Sequence, residues 1–337
     1  MLHALIIGLG HWGQHLVASI QDKSNKIRFT GTVLPRDETT IDFARKNGLY
    51  VYPDFRSALA DSTVNAVIVA TINSRHTEHV IEAIEAGKHV FVEKPVALTT
   101  ASAKHMFDVC DRYDRTLAAG FNWRFHPGVH DLSRMLENRE LGTLLHVEGN
   151  YSGPSGYRRD ASHWRSSIAE NPGGGMASRG IHIADLMVAM FGETERVSAR
   201  SMRRVLSVEI NDTTSALLLF QSGMTGYLAT MMATTELWRL HVFGAKGWAE
   251  LRFIEHLHRF ELSLCLIDKP LVCRSYPPIN TEHAELEAFA DAVIAHVRYP
   301  VPSSEVLHGV RIFEAIASSS QNDGRWESTS DKDCNRI

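Results

Sequence analysis

The residues best placed to do chemistry open the chain. In LIIGLGHWGQHL, Gly8, Gly10 and Gly13 form a G-x-G-x-x-G pattern between an apolar run and a helical one. The first glycine permits a tight turn, the second lets the backbone approach a pyrophosphate, and the third allows close helix–strand contact. Free N–H groups and the positive end of the helix dipole favour an anion at that point. His11 and Trp12, inside the turn, join the glycines as cofactor-binding candidates. A site strict for NAD wants a carboxylate at the end of the second strand, for the ribose. This chain reads GTVLPRDE, with Leu34 and Pro35 at that place and Arg36 next. A guanidinium there can clamp a 2′-phosphate. The alternative is a solvated Arg36, with Asp37 reaching the ribose through a bent turn. The cofactor is NAD or NADP, and Arg36 tips the reading towards NADP.

A second signal lies in AGKHVFVEKPVAL, which places Glu93, Lys94 and Pro95 just after a β-branched run. In open α/β sheets the C-terminal ends of the strands face the ligand crevice. A lysine desolvated there beside a cationic nicotinamide has a lowered pKa and can move a proton. Taken alone, a strand-end lysine is more often a surface charge. The two motifs together change that weighting.

The elements that must position these groups follow from apolar periodicity. Strands are predicted at Leu2–Ile7, Arg28–Leu34, Val64–Ala70, His89–Val92 and Thr116–Ala119. Helices are predicted between them at Trp12–Ile20, Thr39–Asn47, Phe55–Ala60, Ser74–Ala86 and Thr99–Tyr113. Such alternation implies crossover connections and a buried parallel sheet. Gly48 and Gly87 suit left-handed C-caps, and Asp54 and Ser74 suit N-caps. Beyond Gly120 the style changes to longer strands joined by turns, at Leu145–Tyr151, Val197–Met202, Ser215–Gln221, Gly226–Thr234, Arg239–Phe243, Ala249–Phe253 and Glu261–Leu266. Helices are predicted there at His130–Asn138, His182–Phe191, Ala284–His296 and Val306–Ser318. The expected architecture is an α/β Rossmann domain with a parallel sheet, residues 1–121, followed by an α+β domain with a large, mainly antiparallel open sheet, residues 122–337.

Through its glycine pattern and EKP motif, the chain resembles the Gfo/Idh/MocA oxidoreductase family over almost its whole length. VATINSRHTEHVIEAIEAGKHVFVEKP is similar to the family's stretch through the catalytic lysine, and GFNWRFHPGV to the start of its second domain. HWR with NPGGGMASRGIHIADLM resembles its substrate-site helix, while NDTTSALLLFQSGMTGYL and FGAKGWAEL resemble its large sheet. The resemblance implies Lys94 as the catalytic lysine and His182 as the acid–base histidine, with Asp185 as the acid of H-x-x-D. Positions i and i+3 share a helix face, so His182 and Asp185 point together. It further implies that Thr71, Asn73 and His76 line the cofactor, and that Glu93 supports Lys94 and the nicotinamide side. A cis Lys–Pro bond is common in the family. Many members carry an aspartate four residues before the histidine, where this chain has Ser178. That departure weakens a relay from Lys94 through an acid to His182. Ser178, Arg124, Trp164 and Arg165 join Asp185 as substrate-binding candidates. Trp123 reads more simply as packing. Arg179 can recognise a carboxylate or phosphate on a substrate, and the simpler reading pairs it with a surface acid.

The expected activity is hydride transfer between a nicotinamide and a carbinol or carbonyl carbon of a sugar, polyol or sugar derivative. The alternatives are a dinucleotide-bound sensor and an imine or ketone reductase on the same site. The bulk numbers exclude other classes. A chain of 337 residues suits two domains. A net charge of -4 and a pI near 6.5 argue against nucleic-acid partners. Cys110, Cys265, Cys273 and Cys334 form no C-x-x-C pair, so reduced cytoplasmic thiols are expected and no metal site. His256 and His258 read as a solvated strand face. No apolar run suits a bilayer or a signal peptide. An exposed sheet face needs cover, so self-association as a dimer or tetramer through that sheet is expected.

Overall fold

Short apolar runs with β-branched side chains build the first sheet because both of its faces are covered. The computed structural model describes residues 1–33, 37–255 and 259–330, so Arg36, His256, His258 and Cys334 lie outside the described residues. The chain begins β1 (Leu2–Ile7), α1 (His11–Ile20), β2 (Ile27–Val33), α2 (Glu38–Lys46), β3 (Tyr50–Tyr52) and α3 (Phe55–Ala60). It continues β4 (Ala66–Val69), α4 (His76–Glu85), β5 (His89–Glu93), α5 (Thr100–Arg112) and β6 (Leu117–Gly120). All six strands pair in parallel in the order β3-β2-β1-β4-β5-β6. Leu5, Ile6, Val67, Ile68, Val90 and Phe91 are fully buried, as a sheet covered on both faces requires. The strand order reverses between β1 and β4, which puts the ligand crevice outside their C-terminal ends.

Local capping follows the residue chemistry. Asp54 caps α3 by accepting from Ser57 N at 2.7 Å. Gly48 and Gly87 turn left-handed after α2 and α4, at φ +68° and +78°. Ser74 differs from its expected role. It lies in a single turn over Asn73–Arg75, and α4 starts at His76 with Arg75 as its N-cap. The edge strand β3 is too short to show an alternating pattern, and its pairing with Gly31–Val33 defines it instead.

The remaining elements are α6 (Pro127–Glu137), β7 (Leu144–Ser152), α7 (Gly180–Phe191), β8 (Thr194–Met202), β9 (Thr213–Phe220), β10 (Thr225–Met231) and β11 (Leu237–Gly244). After them come β12 (Gly247–Glu255), β13 (Arg259–Leu266), β14 (Val272–Tyr276), α8 (Thr281–Ile294), α9 (Ser303–Gln321) and β15 (Glu327–Ser328). A nine-stranded sheet runs β14-β13-β12-β11-β7-β10-β9-β8-β15, antiparallel except for β7 beside β10. Trp238, fully buried on β11, packs against Trp123 and Phe260 with ring centroids 5.4 and 5.1 Å away. The chain forms two compact units, residues 1–122 with 280–306, and residues 123–279 with 307–337. The later segment of the first unit carries α8. Its Phe289 meets Phe91 of β5 at 5.9 Å, and Lys26 pairs with its Asp291 at 2.8 Å.

Three buried imidazoles make the fold sensitive to acid. His308 accepts from Thr194 N at 2.8 Å and is fully buried, so burial pushes it down to about 4. Burial likewise holds His79 and His126 down to about 4. Their folded values lie below the ordinary 6.5, so the unfolded chain binds protons first as the pH falls. Stability is therefore complete above pH 6.5 and drains away as the pH drops towards 4. At pH 5 His308 alone is expected to cost about 2 kcal/mol, read from urea midpoints at pH 7 and pH 5. His308→Gln, which keeps an acceptor for Thr194, should lose that share. Equal acid sensitivity in variant and parent would exclude His308 as a cause.

Candidate active site

The glycine turn is shaped as its spacing predicts. A Cβ on Gly8, at φ +96°, would lie 2.4 Å from the Ala70 carbonyl oxygen, and one on Gly13 would lie 2.2 Å from that of Gly8. Neither position tolerates a side chain. Gly10 is the opposite case, with nothing within 4 Å of where its Cβ would project. It is the N-cap of α1, makes no side-chain capping bond, and no acid stands in the first turn. An open cradle beneath a helix N-terminus without anionic competition fits a dinucleotide pyrophosphate. His11 is exposed there, and Trp12 stacks on His15 with centroids 5.0 Å apart. Asp37, the carboxylate nearest in sequence to the ribose-selecting position, is the N-cap of α2. One of its oxygens accepts from Thr40 N at 2.8 Å, from Thr40 Oγ1 at 2.8 Å and from Thr39 Oγ1 at 2.6 Å. Those hydrogen bonds hold its carboxyl below the usual range.

The loops after β4 and β5 are tied together by His76. Its Nδ1 donates to the Pro95 carbonyl at 2.8 Å while Nε2 faces the Thr71 carbonyl at 3.2 Å. His76 thus braces the EKP loop, and the Thr71 hydroxyl meets His79 at 3.2 Å. Asn73 is buried beside them. Lys94 is half-buried at the end of β5, and the Lys94–Pro95 bond is cis. Glu93 is buried and accepts from Lys94 N at 3.2 Å. Burial raises its pKa, opposed by the Lys94 charge and the Trp12 indole.

Helix α8 sets a further carboxyl against this group. Phe91 and Glu93 share a face of β5, two residues apart, and Glu285 and Phe289 share a face of α8, four apart. With Phe91 against Phe289, Glu285 is directed at the Glu93 end of the strand. Glu285 is fully buried, and neither of its oxygens finds a donor among the described residues. Burial and the Glu93 charge drive its pKa well above the carboxylate range, so it is the member of the pair that holds a proton. Glu282, one turn earlier, accepts from Asn122 Nδ2 at 2.9 Å and lies 3.8 Å from His15. Sequence reading missed Glu285, since its only signal is an acid on the apolar face of a predicted helix.

In the second unit His182 and Asp185 lie on α7, both buried. Asp185 is gripped by Arg124, whose Nε and Nη2 donate to its two oxygens at 2.7 and 2.6 Å. The substrate-binding candidates Arg124 and Asp185 therefore bind each other. Loss of either partner would strand a buried charge, at about 3–5 kcal/mol. The Tyr151 ring stands 6.0 Å from His182 and 4.7 Å from the Arg179 guanidinium, a contact with no sequence signal. Arg179 meets Glu236 at 4.0 Å. The Ser178 hydroxyl lies 3.4 Å from the Gly175 carbonyl. Trp164 and Arg165 share one turn, the guanidinium 4.1 Å over the indole. Among the described residues no three His, Cys, Asp or Glu side chains cluster to hold a metal, and no helix is long and apolar enough to cross a membrane.

Comparison with known proteins agrees with this geometry. Residues 2–121 match the oxidoreductase family with an NAD-binding Rossmann fold, and residues 129–250 match the GFO/IDH/MocA C-terminal domain. The glucose-6-phosphate 3-dehydrogenase of Bacillus subtilis is 32% identical over 147 residues, a match spanning 42% of this chain and 42% of that protein. The D-xylose 1-dehydrogenase (NADP(+)) 2 of Haloferax volcanii is 25% identical over 80% of this chain and 82% of its own length. Among solved structures, the aldose-aldose oxidoreductase of Caulobacter crescentus, complexed with glycerol, superposes with a TM-score of 0.86 at 25% identity, covering 97% of this chain and 99% of that one. Levoglucosan dehydrogenase in complex with NADH and levoglucosan shares the fold, with a TM-score of 0.85 at 21% identity over 98% and 100% of the two chains. Both halves of one family are present in order, and the chain belongs to the Gfo/Idh/MocA family of NAD(P)-dependent oxidoreductases.

Proposed function

We propose that the protein is a dehydrogenase that moves a hydride between a nicotinamide and the carbinol carbon of a sugar, polyol or sugar derivative. The observation that carries this reading is Lys94, half-buried beside Glu93 at the C-terminal end of β5, on the same edge of the parallel sheet as the Gly8–Gly13 cradle. A nicotinamide bound at that edge supplies the redox chemistry. The protein's part is to orient the substrate and manage the hydroxyl proton. Lys94 and His182 are the side chains assigned to that proton, and Asp185, on the same helix as His182, is held by Arg124. The printed activities of the relatives, on glucose 6-phosphate and D-xylose, support a sugar substrate. For the cofactor we propose NADP. Asp37 is engaged as a helix cap, and no acid stands at Leu34 or Pro35, which leaves Arg36 to recognise the ribose.

A dinucleotide-bound sensor is the second reading, favoured by Ser178 where an acid would strengthen the relay. Saturable sugar binding without NAD(P)H production would support it. Cytoplasmic location and self-association through the nine-stranded sheet belong to the same proposal. The exposed Leu217 and its cross-strand partner Tyr227 on the outer sheet face favour such cover.

Lys94→Met is expected to leave dinucleotide binding nearly intact and cut turnover by roughly 10²–10⁴. Unchanged turnover would remove Lys94 from the mechanism. Arg36→Ala should raise KM for NADP by about tenfold or more and leave that for NAD near its parent value. A uniform effect on both would refute 2′-phosphate recognition. Glu285→Gln tests the buried pair. Because the Glu285 pKa is raised on folding, its contribution is full below the unfolded value near 4.5 and is lost as the pH rises through the folded one. The variant should therefore gain on the parent between pH 5 and pH 8, with a slope up to about 1.4 kcal/mol per pH unit. A difference in denaturant midpoint that stays flat with pH would mean that Glu285 is ionised.

A further inference from the structure

The segment between β7 and α7 carries Arg158, Arg159 and Arg165, and Arg179 opens the helix that follows it. It leaves the sheet at Gly153, whose N–H donates to the Met231 carbonyl at 2.9 Å, and is pinned again by Gly156 N to the Met232 carbonyl at 2.8 Å. Ser166 Oγ then donates to the Asp160 carbonyl at 2.7 Å, which ties the turn carrying Arg165 to the residue that follows Arg159. The Asp160 carboxylate is engaged inside this turn. It accepts from Ser162 N at 2.9 Å, from Ser162 Oγ at 2.6 Å and from His163 N at 3.1 Å. Arg179 is seated at the start of the loop. Its Nη1 donates to the Ser152 carbonyl at 2.8 Å, its plane lies over Tyr151, and a Cβ on Gly153 would strike the guanidinium at 2.6 Å. That arginine is held in one geometry by a carbonyl, a ring and a missing side chain.

Arg159 is the member of this group that the protein itself does not neutralise. It is part-buried, its Nη1 is shut off from solvent with no hydrogen-bond partner, and no carboxylate pairs with it among the described residues. Its charged neighbours are Arg165 and Arg179. Burial first, and then these two like charges, push its pKa down to about 10, so it stays a cation at neutral pH. Burial, and then the charges of Arg159 and Arg165, depress the neighbouring His163. Desolvating a cation among cations is unfavourable unless an anion joins them. Planar guanidinium forks match the paired oxygens of phosphate and carboxylate groups.

We propose that Arg159, Arg165 and Arg179 form a subsite for the oxyanion group, phosphate or carboxylate, of a sugar-derived substrate. The subsite rests on the dehydrogenase reading above, which assigns His182 to the reacting carbinol. Tyr151 links the two places, with its ring 6.0 Å from His182 and 4.7 Å from Arg179. A substrate reacting at His182 and extending past the Tyr151 ring brings its charge to Arg179. Glu236 lies 4.0 Å from Arg179, and no carboxylate pairs with Arg159 among the described residues.

The test uses the full chain with its dinucleotide site saturated by NADP, so that added phosphate has no access to the pyrophosphate cradle. Inorganic phosphate is titrated against the melting temperature of the parent, Arg159→Met and Arg159→Lys proteins. Neutral hexoses, hexose phosphates and hexuronic acids are then compared by kcat/KM. Phosphate should stabilise the parent and not Arg159→Met. Charged sugars should be preferred over neutral ones, and Arg159→Met should erase about 10–100-fold of that preference, mainly through KM. Arg159→Lys, which keeps the charge but loses the fork, should fall between them. Preference for hexose phosphates over hexuronic acids, or the reverse, identifies the oxyanion. Equal phosphate stabilisation in parent and Arg159→Met, or neutral sugars used as well as charged ones, overturns the subsite. Phosphate stabilisation that depends on Arg159, with no sugar oxidised at all, keeps the subsite and refutes the dehydrogenase reading.

Discussion

The backbone of the first turn touches the backbone of its neighbours, and the first unit is arranged around that contact. Gly8 lies against the Ala70 carbonyl at the end of β4, and Gly13 lies against Gly8 itself. A side chain at either point would lever α1 away from β1 and widen the gap between β1 and β4, where the strand order reverses. The same closeness fixes where α1 points. Its first turn carries the open face of Gly10, and its next residues carry Trp12 towards Glu93 and His15 towards Glu282. Three residues with no side chain thus decide where a dinucleotide can lie and which groups surround the EKP lysine.

A second constraint is that charge buried in either unit has to be answered. Arg124 and Asp185 answer each other with two short charge-assisted hydrogen bonds, which holds α7 near its N-terminal half. Glu93 is answered by Lys94, and Glu285 by keeping its proton, since two carboxylates and one ammonium in a closed space would leave a net charge. Lys88 shows the simplest solution, donating to the Asp61 and Val64 carbonyls at 2.8 Å each. Against this background Arg159 stands out, because its Nη1 is buried with no hydrogen-bond partner among the described residues.

Local signals were read well from the amino-acid order. The five apolar runs of the first sheet, the glycine spacing, the strand-end Lys94 and the i, i+3 pair of His182 and Asp185 each depend on residues close in sequence. What escaped depends on partners far away. β3 has three residues and exists because Tyr50–Tyr52 can pair with Gly31–Val33. β14 and β15 are likewise defined by their neighbours β13 and β8. Ser74 carries the right side chain for a cap but sits one residue ahead of the N-cap, because a single turn over Asn73–Arg75 precedes α4. The mutual binding of Arg124 and Asp185 joins residues 61 positions apart, and no periodicity records it. The amphipathic pattern of α8 announced a helix while saying nothing about which sheet it covers.

That covering has a consequence for anyone who would cut or graft this chain. Leu286, Phe289 and Ala290 of α8 are fully buried, with Phe289 against Phe91, and Tyr299 OH reaches the Ala119 carbonyl at 3.0 Å. A fragment ending at Asn122 would lay those apolar surfaces bare and leave the Asn122 amide without Thr281 and Glu282. The nucleotide-binding module is consequently not a prefix of the polypeptide but a discontinuous one, and recombination between relatives must carry both stretches together to transplant a working cofactor half.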